Sequence, residues 1–142
     1  MQVKDIMTGH VIPIGAEESV EVAARTLAQY NIGALPVCGR DGSLCGMLTD
    51  RDIVTRCLAA NKVPGKTPVR DIMTSQVTSV KPDMDAQVAA HLMGRQQIRR
   101  LPVTENGKLC GILTLGDLAA RNDSAMDAAD ALSDMTANLA RD

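Results

Sequence analysis

Residues 46–52 read GMLTDRD and residues 111–117 read GILTLGD. One pattern therefore occurs twice, 65 residues apart: glycine, two apolar residues, threonine, two variable positions, aspartate. Working outward, SLCGMLTDRDI at 43–53 lies over KLCGILTLGDL at 108–118, and NIGALPV at 31–37 lies over QIRRLPV at 97–103. Further upstream, VKDIMTGHVIPI at 3–14 lies over VRDIMTSQVTSV at 69–80. The offset is 66 and becomes 65 where one residue is lost in a turn. Self-similarity at a fixed period marks a tandem repeat. The seam is NKVPGKTP at 61–68, whose Pro, Gly and Lys content reads as a linker.

Each copy has the same order of elements. A short helical turn around DIM leads to a strand at 11–14 or 77–80, then a helix at about 19–31 or 85–97. Ser19 and Asp85 stand where N-caps belong. The 3.6-residue period picks out Val20, Ala23, Ala24 and Leu27 in the first helix, and Val88, Leu92 and Met93 in the second. A strand beginning LPV follows, then a turn on RDGS or ENGK, where Asp-Gly and Asn-Gly signal a hairpin. A third strand, LCGMLT or LCGILT, runs into a final helix. The expected fold is α/β (α+β), two βαββα repeats. Repeat one spans 1–60, the linker 61–68, repeat two 69–121, and a tail 122–142. A repeat of under 60 residues buries little core alone, so the two are expected to stack as one module with pseudo-two-fold symmetry. In the tail, Ser124 is placed to cap a helix with an apolar stripe of Met126, Ala129, Leu132, Met135 and Leu139. Such a stripe must cover its own module or a partner.

Composition narrows the function. The net charge of −2 gives no general attraction for nucleic acid, and Tyr30 as sole aromatic leaves no base-stacking platform. The core must be aliphatic, with eight methionines as filler. No apolar run approaches the roughly 20 residues of a membrane span, and MQVKDIMTGH carries no apolar signal region. A cytoplasmic protein without membrane insertion is expected. Cys38, Cys45, Cys57 and Cys110 show no C-x-x-C spacing, and His10 and His91 have no ligand-like neighbours, so no metal is expected. Cys45 and Cys110, equivalent between copies, read as small buried strand residues. VPGKTP at 63–68 lacks the glycine spacing of a phosphate-binding P-loop, and no nucleophile–base pair stands out. No catalytic residue is assigned.

The repeated Thr-x-x-Asp admits two readings. A threonine at a strand-to-helix junction can cap the helix while an aspartate three residues on reaches back, a purely structural capping box. The same pair can read a ribose phosphate: the helix start favours an anion, and the carboxylate accepts hydrogen bonds from two vicinal hydroxyls. Arg51 adds positive charge in the first copy, and Gly116 permits close approach of backbone in the second.

The duplicated DIMT, LPV and G-x-L-T-x-x-D motifs, in order and at matching spacing over residues 3 to about 121, resemble a pair of CBS (cystathionine β-synthase) domains, the tandem unit called a Bateman module. The resemblance implies a non-catalytic regulatory module binding an adenine nucleotide or related adenosine ligand: AMP, ADP, ATP, NAD or S-adenosylmethionine. No permanent cofactor is implied. It further implies a homodimer, a regulated partner protein of unknown identity, and pockets formed across the repeats. One pocket would take Thr49, Arg51 and Asp52, with Val77, Thr78, Ile98, Arg99 and Arg100 opposite. The other would take Thr114, Gly116 and Asp117, with Val11, Ile12, Ile32, Gly33 and Ala34 opposite. Aliphatic side chains would sandwich the adenine. Arg99 and Arg100 replace Gly33 and Ala34, and paired arginines suit phosphate. Strand alternation would let at most one of them face a ligand. This pairing makes the Thr49/Asp52 pocket the stronger nucleotide site. The competing reading is a structural, dimerising module with vestigial pockets.

Overall fold

The computed structural model describes residues 1–120 and 125–141. The first copy contributes α1 (Val3–Ile6), β1 (Ile14–Gly15), α2 (Val20–Tyr30), β2 (Ala34–Cys38), β3 (Leu44–Thr49) and the short α3 (Asp50–Asp52), which continues as π-type turns over Ile53–Leu58. The second contributes α4 (Ala86–Gln96), β4 (Arg100–Glu105), β5 (Lys108–Thr114) and α5 (Leu115–Ala119), followed by α6 (Ala125–Arg141). A 3₁₀ turn at Val69–Asp71 is the counterpart of α1.

Local chemistry sets these boundaries. Ser19 Oγ accepts from Val22 N at 3.2 Å and Asp85 Oδ1 from Gln87 N at 2.8 Å, so both expected N-caps form. Asn31 and Gln97 end the two helices at φ 53° and 57°, in the left-handed region. Ile32 N then donates to Leu27 O, and Ile98 N to Met93 O, both at 3.1 Å. The second hairpin turns on Asn106 and Gly107, φ 54° and 79°, the two positive values an Asn-Gly turn supplies.

The chain forms two compact units, and they cut across the repeats. One comprises 12–77 with 107–109; the other comprises 1–11, 78–106 and 110–142. Each leading DIMT segment therefore belongs to the unit built on the other copy. In the first unit β1 pairs parallel with β2 (Ile14↔Val37) and β2 antiparallel with β3 (Ala34↔Thr49). Thr74 then bridges to Met47, exchanging N–H to O bonds of 2.9 Å in both directions. In the second unit Val80 bridges to Val103, and Thr8 exchanges bonds of 2.9 and 3.0 Å with Ile112. The backbone contacts correspond pair by pair: Val69 N to Glu18 O matches Val3 N to Met84 O, both 2.8 Å. Their side chains complete the two cores. Val69 and Ile72 join Val20, Leu27, Leu35 and Leu48; Val3 and Ile6 join Met93, Leu101, Leu113 and Leu118.

Three expectations are corrected. Strands over 11–14 and 77–80 shrink to Ile14–Gly15 and to the single bridge at Val80. In α4 the buried face is Ala86, Ala89, Ala90, Met93 and Gly94, whereas Val88 is 53% exposed and Leu92 half-buried. In α6, among the side chains described, Met135 of the expected stripe is buried together with Ala128 and Ala131, while Ala129 and Leu132 are exposed. The cause is the α4–α6 seam. A Cβ on Gly94 would lie 3.0 Å from Asp134 Oδ2 and 3.2 Å from the Ala131 Cα, so these helices meet through small residues and large ones turn away. Ser124 and the side chains of Met126 and Leu139 lie outside the described residues.

The repeated glycine has its explanation here. A Cβ on Gly46 would strike the Thr74 carbonyl oxygen and sit 3.0 Å from Met73 Sδ. On Gly111 it would lie 2.6 Å from Met7 Sδ and 2.9 Å from Thr8 O. Gly46→Ala and Gly111→Ala are each expected to destabilise the fold by about 1–3 kcal/mol, the usual cost of overpacking. Gly9→Ala, with open space at its Cβ, is expected to stay within about 0.5 kcal/mol. Urea denaturation of the three variants measures the difference, and equal midpoints would refute it.

Candidate functional site

Both Thr-x-x-Asp motifs form complete capping boxes. Thr49 Oγ1 accepts from Asp52 N at 3.0 Å while Asp52 Oδ2 accepts from Thr49 N at 3.1 Å. Thr114 and Asp117 repeat this at 3.0 and 2.9 Å. Each motif thus holds its own helix start. Each aspartate spends one oxygen on the box and keeps a second. In the first copy that second oxygen faces Arg56, whose Nε lies 3.8 Å from Asp52 Oδ1. Arg56 also donates to the Ile72 and Met73 carbonyls at 3.3 Å, tying the exchanged DIMT segment to this helix. Asp52 is buried and Asp117 half-buried.

The segment entering each hairpin lands beside the motif that leaves it. Asp50 N donates to Gly33 O at 3.0 Å, and Leu115 N donates to Arg99 O at 2.9 Å. The reason in the first copy is strand register: β2 begins where β3 ends, with Ala34 opposite Thr49. In the second unit this geometry opens a hollow of about 480 Å³ lined by Arg99, Arg100, Thr114, Leu115, Gly116 and Ala119. That volume falls in the range of small-molecule sites.

Arg99 and Arg100 share this hollow with Thr114 and Gly116 of their own copy. Both arginines line it, because Arg99 precedes β4, which starts at Arg100, so strand alternation does not separate them. Gly33 and Ala34 correspondingly lie by Thr49. The remaining candidates divide between the units. Ile12, Ile32 and Val77 belong to the unit of Thr49, with Ile12 and Ile32 exposed. Val11, Thr78 and Ile98, all half-buried, belong to the unit of Thr114. Arg51 is exposed.

Two hollow residues, Leu115 and Ala119, escape the sequence reading because neither carries a polar group. Asp50 escapes it too, as a variable position of the motif. Its Oδ1 accepts from Arg51 N at 2.8 Å. The signal available was the mismatch of Asp50 with Leu115 between aligned copies.

The cysteines are not uniformly buried: Cys45 and Cys110 are half-buried, with Sγ 3.6 Å from Ser43 O and 3.3 Å from Val103 O. Burial pushes the Cys38 and Cys110 thiols up, against thiolate chemistry. Hydrogen bonds from the Ser43 amide and hydroxyl hold the Asp41 carboxyl below its ordinary value, which fixes the first hairpin turn. Among the described residues no group of three or more His, Cys, Asp or Glu side chains is placed to hold a metal ion. No helix among them is long and apolar enough to cross a membrane.

The chain matches the CBS domain family model twice, over residues 3–59 and 69–124. The CBS domain-containing protein YhcV of Bacillus subtilis is 41% identical over 134 residues, covering 94% of both chains. Hypoxic Response Protein I, solved with two coordinated zinc ions, superposes with a TM-score of 0.79 at 36% identity, over 85% of this chain and 98% of that one. CBSX2, solved in complex with AMP, gives a TM-score of 0.75 at 29% identity, over 84% and 93%. Two family matches that together span most of the chain, on a duplicated fold with paired Thr-x-x-Asp helix starts, place it in the CBS domain family as a tandem pair.

Proposed function

We propose that this protein is a non-catalytic regulatory module that binds an adenine nucleotide, AMP, ADP or ATP, and transmits the bound state to a partner protein. The hollow of the second unit carries this reading: two arginines converge beside Thr114 and Gly116. A nucleotide's phosphates must be desolvated on binding, and unpaired buried charge is costly. Arg99 and Arg100 supply planar donors that grip phosphate bidentately. The free oxygen of Asp117 can accept from a ribose hydroxyl while the other holds the capping box. Leu115 and Ala119 offer apolar surface for the nucleoside. CBSX2, of the same fold, was crystallised with AMP. The Thr114/Asp117 position becomes the stronger phosphate site, because the arginines stand there.

The apolar side chains Val54 and Leu58, one turn apart after α3, are 55% and 53% exposed. They support a homodimer that buries this face. Light scattering at micromolar concentration is expected to give about twice the 15.1 kDa chain mass. A monomer mass would refute the dimer.

Ligand that binds only the native state stabilises it by about 2.7 kcal/mol at a hundredfold excess over Kd. AMP, ADP or ATP is therefore expected to raise the melting temperature, and no shift at millimolar nucleotide would favour the structural, dimerising reading instead. Titration calorimetry locates the site. Asp117→Ala is expected to cost about 1.5–3 kcal/mol of nucleotide affinity, the worth of hydrogen bonds to a charged group. Replacing Arg99 and Arg100 by Ala is expected to weaken ATP more than adenosine, since only phosphate loses a partner. Intact binding in Asp117→Ala combined with its loss in Asp52→Ala would return the site to the first copy.

A further inference from the structure

Gly46 and Gly111 are held to glycine by an incoming backbone, and Gly42 and Gly107 by φ of 85° and 79°. Neither reason applies to Gly116. Its φ is not positive, and a Cβ there would meet only Thr114 Oγ1, at an ordinary 3.6 Å. Alanine suits a helix better than glycine does, and the first copy carries Arg51 at the equivalent place, so the fold has no need of glycine here. Gly116 does line the 480 Å³ hollow. The amides on either side are engaged, Leu115 N with Arg99 O at 2.9 Å and Asp117 N with Thr114 Oγ1 at 3.0 Å. Among the described residues the Gly116 amide has no acceptor, and the Arg99 and Arg100 guanidiniums have neither a hydrogen bond nor an ion pair. No lining residue of the hollow is acidic.

We infer that this hollow is built for a phosphoanhydride chain, the di- or triphosphate of a nucleotide in preference to a monophosphate, and that Gly116 is the specificity-determining residue that admits it. The inference deepens, and rests on, the nucleotide reading above. Each guanidinium can grip phosphate through two parallel N–H to O bonds, and the Gly116 amide adds a further donor. Together these donors call for more terminal oxygens than the three that a single phosphate offers. A second phosphate supplies the rest. With two cations and no carboxylate in the lining, each added phosphate charge is met by attraction. A chain that reaches from the arginines to the free amide must lie close against backbone, and the missing side chain at position 116 leaves the room for it.

The test is equilibrium dialysis of the full chain with AMP, ADP and ATP, and with inorganic tripolyphosphate as competitor. Wild type, Gly116→Ala, Arg99→Ala and Arg100→Ala are compared, and the melting temperature of each is measured without ligand. Wild type is expected to hold ADP and ATP roughly tenfold tighter than AMP, the worth of one added hydrogen bond to a charged group, and tripolyphosphate is expected to displace ATP. Gly116→Ala is expected to melt no lower than wild type, yet to lose most of the preference for ATP over AMP. Each arginine variant is expected to narrow the same preference. AMP held as tightly as ATP by wild type, or a preference left intact in Gly116→Ala, would overturn the inference while the nucleotide reading stood. A Gly116→Ala chain that melts lower and binds ATP as wild type does would make the glycine structural and overturn it too. Tripolyphosphate bound without any nucleotide would uphold the hollow as a polyphosphate site and remove the nucleotide reading. No binding of any of these compounds would overturn both.

Discussion

Backbone exchange between the copies is the constraint on which the rest depends. Thr8 pairs with Ile112 and Thr74 with Met47, so each leading segment is laid along the last strand of the other copy's hairpin. Two amide–carbonyl pairs at about 2.9 Å fix each contact, and glycine is required opposite because any side chain would occupy the space of the incoming backbone. Val3, Ile6, Val69 and Ile72 then close the cores. Neither hairpin has a complete apolar face without the segment it receives.

That arrangement positions the functional end of each hairpin. The strand that accepts the foreign segment is the strand that ends at Thr49 or Thr114, and its helix start is hydrogen-bonded in turn to the entry of the neighbouring strand. Strand register, capping box and hairpin entry therefore form one continuous chain of hydrogen bonds. What varies between the copies is carried on it as substitutions: Leu115 for Asp50, Arg99 and Arg100 for Gly33 and Ala34. The same scaffold thus carries different side chains at its two helix starts.

Much of this was legible in the sequence. The repeat, the hairpin turns, both N-caps and the Thr-x-x-Asp junctions follow from local chemistry, where one or two residues decide the backbone. The helix faces of α4 and α6 were not legible, because periodicity assumes that large residues are buried, and here Gly94 and Ala131 let the helices approach so closely that Val88 and Leu132 are turned out. The grouping of Arg99 and Arg100 with Thr114 was missed for a different reason. It follows from which strand ends meet, and a motif aligned by similarity carries no such information until strand register is known. The Asp50 contact is of the same kind: a side chain read as variable accepts a hydrogen bond from the Arg51 amide.

The reciprocal exchange also bears on how such a chain can arise and be divided. A single copy holds a leading segment that its own hairpin does not receive, together with a hairpin edge open to an identical segment from another molecule. Two separate copies satisfy one another by swapping arms, a low-cost route to a symmetric dimer. Gene duplication with fusion through residues 61–68 turns that association into an intramolecular one. Effective concentration then replaces a binding equilibrium. Cutting the chain at its linker would reverse the event and produce halves that fold only as partners of one another or of themselves.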